Sequence, residues 1–385
     1  MRIWNRTIVL AAAAALAAGC GSAGATASHS RALPPSRQNN RPAVVQTTWP
    51  RNRWIPAATL PQTATAIGET QNPSTLFLLT ETQATANAPA YWDVYSLSQP
   101  GQLRREPPRF AVPPDVNKYL VKPTAGRTQG GTWWLVWGSG DPANSNGAIV
   151  HLATWRTGQV MWVSHPSITV APGAGASNAV SVWVMVGADG HPWVLAQFAD
   201  SFGAAPAFTK VLYGSRSGWA VPWQQTGSAG AGGPWGPRTF LVWSGSRLVP
   251  VDFAGHLGTP IPVPPYASRM LLSYRHTLYV QTSHKPPYGS TALYDENLLA
   301  WNGRGWQPLI AANTDLNVNG FTLAGTWDGR PVVRDSNGQW WIHRRTGWQR
   351  TNVAYDANLG VKAATFIYPT SWAVSGHRVD GYWAG

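Results

Sequence analysis

The chain has 385 residues, of which 44% are apolar and only 12% charged, a composition that excludes an intrinsically disordered protein and differs from that of a charge-rich cytosolic helical enzyme. Its 23 tryptophans, 39 glycines and 32 prolines favour a sheet-rich fold, because glycine and proline interrupt almost every helical period. The formal net charge of +13 indicates either an anionic partner or the scarcity of carboxylates that suits an acidic habitat; the spread of arginines along the chain favours a dispersed basic surface.

The first twenty residues have the pattern of a bacterial secretion signal. Arg2 and Arg6 precede an apolar run, Ile8 to Ala18, that is too short to span a bilayer as a permanent helix. The run ends in LAAGC at Cys20, the only cysteine of the chain. This segment resembles the lipobox of bacterial lipoproteins, although its leucine stands four residues before the cysteine where the family usually has it three before. The resemblance implies that Cys20 is lipidated, becomes the new N-terminus and anchors the protein to a membrane.

An alternative processing site lies shortly after the cysteine. Cleavage after Ala25-Thr26-Ala27 would secrete the protein without lipid. We favour lipidation because the apolar run stops at the cysteine. Residues 21–48 contain almost no large apolar side chain, which predicts a flexible tether. We therefore expect residues 1–20 to be the signal and lipidation site, 21–48 the tether and 49–385 the folded body.

Clusters of strand-forming residues follow along the body at fairly even intervals. Two of them, Arg275–Leu309 and Arg330–Thr351, each end in Gly-Trp-Gln, with Trp306 and Trp348 42 residues apart. A unit of that size built from short strands is typical of a β-propeller blade. The earlier clusters are Leu76–Leu79 with Tyr91–Leu97; Trp133–Trp137, Ile149–Trp155 and Val160–Ser164; Val180–Val186, Pro192–Phe198, Thr209–Tyr213 and Trp219–Trp223; and the degenerate stretch Thr239–Val263.

Each end of the body holds an incomplete blade. Trp54 and Ile55 resemble a closing strand without a blade, whereas the last strands, near Phe366 and Trp372 and ending at Trp383, have no closing strand. We expect the N-terminal strand to complete the last blade, because closure removes exposed sheet edges. The sequence thus predicts an all-β protein, a β-propeller of about seven blades, with six or eight also compatible.

Two turns share a more specific pattern. Asp189-Gly190 and the segment from Asp335 to Gly338 each precede a tryptophan-containing strand, and these residue types tolerate the positive φ of hairpin turns. The pattern resembles the D-x-x-G-x-W repeat of bacterial regulator-type propellers and, more loosely, the Asp-box of sialidase-like propellers. The resemblance covers two or three blades and implies the same fold.

The best metal candidate is the segment of Asp315, Asn317 and Asn319, which matches the first half of a calcium loop, D-x-N-x-N-G. Its twelfth position is Thr326, where a calcium loop supplies a bidentate carboxylate. We therefore favour an inter-blade turn over a Ca²⁺ site. The chain also has no zinc-binding histidine spacing, nucleophile elbow or phosphate loop, so we predict no catalytic residue. We also predict no cofactor, with Ca²⁺ at this segment as the alternative.

Tryptophan is the remaining candidate for ligand contact. We expect the single residues Trp219, Trp306 and Trp348 to pack between blades. Two pairs of adjacent tryptophans remain as candidates for stacking on a sugar ring or another ligand: Trp133 with Trp134, and Trp340 with Trp341. Adjacent residues of a strand point to opposite faces, so one indole of each pair should pack in an interface that the other does not share.

These observations predict a monomeric, membrane-anchored and extracytoplasmic propeller that binds a protein, a glycan or an anionic wall polymer, without specific recognition of nucleic acid. One alternative is an extracellular glycan hydrolase or lyase, which requires two or more carboxylates or a histidine converging on the central funnel. Another is a structural component of a cell-surface or spore layer, which predicts a featureless polar funnel. The fold alone does not choose among them.

Overall fold

A computed structural model of the chain describes residues 54–383 except 73–74, 87, 172–179, 199–207, 227–228, 273–276, 285–294, 311–315, 317–319, 328 and 352–369. In this part of the chain the strands form seven antiparallel sheets, which are the blades of a β-propeller. No described helix has the length and apolar character needed to cross a bilayer. The prediction of an all-β propeller with seven blades is confirmed.

The blades are numbered in chain order, except that β1 (Trp54–Thr59) belongs to blade 7. Blade 1 contains β2 (Ala64–Asn72), β3 (Thr75–Thr82), β4 (Tyr91–Leu97), β5 (Arg104–Arg105) and β6 (Phe110–Ala111). Blade 2 contains β7 (Thr124–Arg127), β8 (Trp133–Asp141), β9 (Asn144–Trp155), β10 (Val163–Ser164) and β11 (Ile168–Val170). Blade 3 contains β12 (Ser181–Val186), β13 (Pro192–Phe198), β14 (Phe208–Ser215) and β15 (Gly218–Thr226).

Blades 4 to 6 repeat the same antiparallel meander. Blade 4 contains β16 (Ala229–Pro234), β17 (Thr239–Ser244), β18 (Arg247–Asp252) and β19 (Ile261–Pro262). Blade 5 contains β20 (Ala267–Leu272), β21 (Leu278–His284), β22 (Asp295–Trp301) and β23 (Trp306–Pro308). Blade 6 contains β24 (Phe321–Trp327), β25 (Arg330–Asp335), β26 (Trp340–Arg344) and β27 (Gly347–Arg350). Blade 7 is formed by β28 (Thr370–Ser375), β29 (Arg378–Trp383) and β1.

The N-terminal strand closes the ring, as predicted. β1 pairs antiparallel with β29, with Trp54 opposite Tyr382 and Ile55 opposite Gly381. The side chains of Ala57 and Leu60 are buried in one cluster with residues of blades 7 and 1. β1 therefore completes blade 7 and also joins it to blade 1. Phe366, which we placed near the start of the last blade, lies outside the described residues.

The apolar core lies between neighbouring blades, as six clusters, within the part of the chain that the structure describes. β8 shows how the alternation of a strand produces this arrangement. Trp133, Leu135 and Trp137 point into the cluster shared with blade 1, whereas Trp134 and Val136 point into the cluster shared with blade 3. A central strand is therefore apolar on both faces and reads as a continuous apolar run.

In blades 1 to 6 the first strand lies innermost, since β2 contacts β7 and β12, β12 contacts β16, and β20 contacts β24. The sequence did not indicate these strands in blades 1, 2, 4, 5 and 6, because they are short or are rich in small and polar residues. The structure explains the glycine-rich sequence AGAGGP of β16, because a Cβ on Gly232 would lie 2.1 Å from the backbone oxygen of Leu241. Close approach of two backbones requires glycine there, and glycine removes the usual sequence signal of a strand.

The turns of a blade define the two faces of the ring. First and third turns lie at one end of a blade, and the second turn at the other, because neighbouring strands are antiparallel. Gln129 in the first turn of blade 2 donates its backbone N–H to the oxygen of Asp189 in the first turn of blade 3, at 2.9 Å. Arg238 in the first turn of blade 4 lies 4.0 Å from the carboxylate of Asp189. First turns of successive blades are thus neighbours, on what we name the first-turn face; the opposite side is the second-turn face.

Candidate functional site

The first tryptophan pair is buried in the core. Trp133 and Trp134 are 0% and 1% exposed, respectively. Trp133 contacts Phe77 of blade 1 edge-on at 5.4 Å, and the Nε1–H of Trp134 donates to the oxygen of Gly190 in blade 3 at 2.7 Å. The prediction that the two indoles occupy different interfaces is confirmed, but neither presents surface on which a ligand could stack. Their role in the structure is packing.

The second pair, Trp340 and Trp341, is half-buried. Trp341 donates Nε1–H to Oδ2 of Asp335 at 2.9 Å, and the guanidinium of Arg350 lies 5.2 Å from the centre of its ring. This indole thus has one polar partner and one cation–π partner within its own blade. Contact of Trp340 or Trp341 with a ligand stays a prediction.

The single tryptophans pack between blades, as predicted. Trp306 and Trp348 each lie in a fourth strand and donate Nε1–H to a carbonyl of the preceding blade, Pro262 at 2.7 Å and Leu309 at 2.9 Å. Trp162 makes the same contact with Pro108 at 2.7 Å, and Trp219 packs on the cluster between blades 2 and 3. In blades 2, 3, 5 and 6, a tryptophan at the start of the fourth strand or directly before it thus packs against the preceding blade.

The two aspartate turns are not structurally equivalent. Asp189-Gly190 forms the first turn of blade 3, whereas Asp335 and Gly338 belong to the second turn of blade 6. Gly190 and Gly338 have φ of 80° and 82°, which confirms the positive φ predicted for both turns. The shared pattern therefore arises from local hairpin chemistry, because the two turns occupy different positions in their blades.

Several predicted sites lie outside the described residues. These are Cys20 and the calcium candidates Asp315, Asn317 and Asn319. In the described part of the chain, no group of three or more His, Cys, Asp and Glu side chains could hold a metal ion. Lipidation and calcium binding stay predictions.

The walls of the central funnel carry little ionisable chemistry where they are described. Glu69 is the only carboxylate in the described first strands, β2, β7, β12, β16, β20 and β24, and these strands contain no histidine. The converging carboxylates that the hydrolase or lyase alternative requires are therefore not found on these six strands.

A serine and a histidine do meet elsewhere in blade 2. Ser139 Oγ lies 2.9 Å from His151 Nε2, and the imidazole stacks on Trp137 at 5.1 Å. Burial lowers the pKa of His151, and the charge of Asp115 partly offsets that effect. Ser139 is only 2% exposed, however, so its hydroxyl cannot reach a substrate. The pair satisfies the hydrogen-bonding needs of a buried hydroxyl.

An open pocket of about 500 Å³ lies on the first-turn face of blade 2, and we name it the blade 2 pocket. Its volume is in the range that suits a sugar-sized ligand. The residues that line it are Arg127, Gly130, Gly131, Arg156, Thr157 and Gln159.

Local hydrogen bonds hold both turns that form this pocket. In the first turn, Thr128 and Thr132 close a backbone bond of 2.8 Å, and Gly131 has a φ of 79°. In the third turn, the backbone N–H of Arg156 donates to Oε1 of Gln159 at 2.7 Å, and Trp155 Nε1–H donates to the oxygen of Gln159 at 2.9 Å. The two arginines therefore extend from ordered turns.

The two arginines of the pocket differ in their surroundings. The guanidinium of Arg127 lies 5.2 Å from the centre of the Trp133 ring and 3.6 Å from Glu106 Oε2, which fixes its position. Arg156 is exposed and forms no ion pair in the described part of the chain. One carboxylate thus faces two guanidinium groups, and the pocket keeps a positive charge. It can bind a carboxylate, a sulfate or a phosphate through forked N–H donors.

The residues of the blade 2 pocket were not among the sites predicted from the sequence, although the sequence contains a signal for them. Arg156-Thr157-Gly158 has the same form as Arg216-Ser217-Gly218 and Arg345-Thr346-Gly347, and each segment precedes a fourth strand. The Gly-Trp-Gln repeat by itself does not include the arginine that precedes its glycine.

No protein-family model matches the chain, and no curated protein matches it. Among solved structures, the β-propeller domain of the Trilobed protease from Pyrococcus furiosus is 10% identical over 65% of this chain and 77% of its own, with a TM-score of 0.41. The α-L-arabinanase of Penicillium chrysogenum is 12% identical over 86% of this chain and 98% of its own, with a TM-score of 0.34. The WD40 domain of SCAP from fission yeast is 9% identical over 86% and 97%, with a TM-score of 0.41. Likenesses at this level bear on no activity or ligand of this chain, and its architecture rests on the strand pairing described above.

Proposed function

We propose that this protein is a lipid-anchored binding protein of a bacterial envelope, whose propeller holds an anionic group of a glycan or wall polymer in the blade 2 pocket. The observation that supports this best is the convergence of Arg127 and Arg156 on a pocket lined otherwise by glycine, threonine and glutamine. The lining contains no carboxylate, histidine, cysteine, lysine or tyrosine, so the pocket offers charge and hydrogen bonds for binding but no general acid or base.

The proposed location rests on the N-terminal sequence. The LAAGC segment at Cys20 supports a lipid anchor in the membrane, and residues 21–48 support a tether between that anchor and the propeller. The partner would then be met outside the cytoplasm, at the membrane surface. We propose a monomer, because ring closure by β1 leaves blade 7 completed within one chain.

The test is a binding measurement on the purified protein with polygalacturonate as a carboxylate-bearing glycan and dextran as its neutral counterpart. We expect binding to polygalacturonate alone. Arg156→Gln should weaken it about tenfold, since one hydrogen-bonded charge contact contributes about 1.5 kcal/mol. The control is Arg247→Gln, which removes an exposed arginine from the second turn of blade 4, on the other face. Equal binding of both glycans, or an equal effect of both variants, would contradict the proposed site.

A further inference from the structure

An exposed arginine recurs at the third turn of the blades. The recurring residues are Arg104 in blade 1, Arg156 in blade 2, Arg216 in blade 3, Arg304 in blade 5 and Arg345 in blade 6. Each lies in the third turn or begins the fourth strand that follows it. In blade 4 the third turn contains His256, whose Nδ1 lies 2.8 Å from Asp252.

These five arginines lie on the first-turn face, because third and first turns share one end of a blade. The blade 2 pocket shows this directly, since residues from both turns line it. Blade 4 shows it again, since Arg238 of the first turn lies over the ring of Phe253 of the third turn at 5.3 Å. The fourth strand is the outermost of a blade, so the arginines are spread around the outer part of that face.

The guanidinium groups of the five residues have no carboxylate partner in the described part of the chain. Carboxylates lie on both faces. Asp189 and Asp252 lie at the first turn of blade 3 and the third turn of blade 4, whereas Asp141 and Asp335 end β8 and β25 beside second turns. The five arginines without a carboxylate partner all lie on the first-turn face.

The residues beside the arginines indicate what kind of anion they suit. Trp306 and Trp348, which follow Arg304 and Arg345, point into the preceding blade and donate to carbonyls there. Both rings pack, partly buried, against apolar clusters between blades. The neighbours Ser217, Gly303 and Thr346 are small or polar, so the third turns of blades 3, 5 and 6 lack the apolar anchors of an interfacial membrane site. The third turn of blade 2 differs, because Val160 and Met161 are 89% and 70% exposed. At blades 3, 5 and 6, dispersed charge beside small and polar residues suits a flexible chain of regularly spaced anions.

We infer that the third-turn arginines form a multivalent surface for a linear polyanion, such as a carboxylate- or phosphate-bearing wall polymer that runs across several blades. This inference rests on the proposed function and extends it from one pocket to a path around the face. Several weak contacts along one chain bind far more tightly than one, because each later contact forms within the same complex.

The test uses the full protein and galacturonate chains of increasing length, from the monomer to polygalacturonate, at several salt concentrations. We expect affinity to rise with chain length and to fall steeply with salt. The triple variant Arg216→Gln, Arg304→Gln and Arg345→Gln should bind the long polymer on the order of 100-fold more weakly, at about fivefold per lost charge. It should keep its affinity for short oligomers, since the blade 2 pocket is intact.

The matched control is the triple variant Lys122→Gln, Arg247→Gln and Arg334→Gln. These exposed cations lie at the second-turn ends of their strands: Lys122 two residues before β7, Arg247 at the start of β18 and Arg334 one residue before the end of β25. It should bind the polymer like the unmodified protein. Equal losses in the two triple variants would overturn the inference, because net charge alone would explain them. Binding of short oligomers without any gain from length would overturn it and leave the proposed function standing. No binding of any galacturonate chain would refute both. Arginine-dependent binding to single-stranded DNA or to anionic phosphatidylglycerol vesicles, with none to the polymer, would assign the face to another partner.

Discussion

Removal of the N-terminal strand should open the ring, and the structure allows the cost to be worked out. A truncation through Thr48 leaves β1 intact, whereas one through Ala58 removes its pairing with β29 at Trp54, Ile55, Pro56 and Ala58. Antiparallel pairing forms about one backbone hydrogen bond per residue pair, each contributing about 1 kcal/mol. The buried methyl of Ala57 adds about 0.8 kcal/mol. The loss is therefore on the order of 5 kcal/mol, against a total stability of about 5–15 kcal/mol for a folded domain.

The longer truncation has a second consequence, because it leaves β29 as an unpaired edge beside the buried residues Trp372 and Val379. Exposed edges pair with other chains, so we expect aggregation in addition to a lower melting temperature. The assay is thermal unfolding combined with size-exclusion chromatography of both truncated proteins. Equal melting temperatures and equal monomer content would refute closure of the ring by β1.

Three further outcomes can be measured. Trp134→Phe should lower the free energy of unfolding by about 1 kcal/mol, because it keeps most of the buried ring but loses the hydrogen bond to Gly190. Trp134→Ala should lower it by about 3–5 kcal/mol, because the ring is lost as well. Equal effects of the two variants in chemical denaturation would show that the hydrogen bond is the main contribution. Burial lowers the pKa of His151 below its ordinary 6.5, so the unfolded state binds more protons than the folded state as the pH falls. The free energy of unfolding should therefore be constant above about pH 6.5 and decrease below it. His151→Gln should reduce that decrease in melting curves, and an unchanged pH profile of the melting temperature would contradict this explanation. Cys20→Ala should move the protein from the membrane fraction to the medium or leave it as precursor, and recovery of the unmodified protein with Ser28 as its N-terminus would contradict lipidation.

The sequence by itself determined the architecture where its signals are local. Central strands such as Trp133–Trp137 are apolar on both faces, and the glycine turns and the recurring Trp306 and Trp348 mark the ends of blades. Closure by β1 could also be predicted, because an incomplete blade at each end leaves only one arrangement without free edges. These features depend on residues close together in the chain, or on a simple count of strands.

Only the tertiary structure decided which residues are available to a ligand. Trp133 and Trp134 were predicted to occupy different faces of a strand, but their burial depends on blades 1 and 3 packing against both faces. The pairing of Arg127 with Glu106 joins blades 1 and 2, which no local pattern specifies. The third-turn arginines are dispersed along the chain but share one face, because the blades run in the same direction around the ring. A charge pattern of this kind is a property of the closed ring, since blades 1, 2, 3, 5 and 6 each contribute a single third-turn arginine to it.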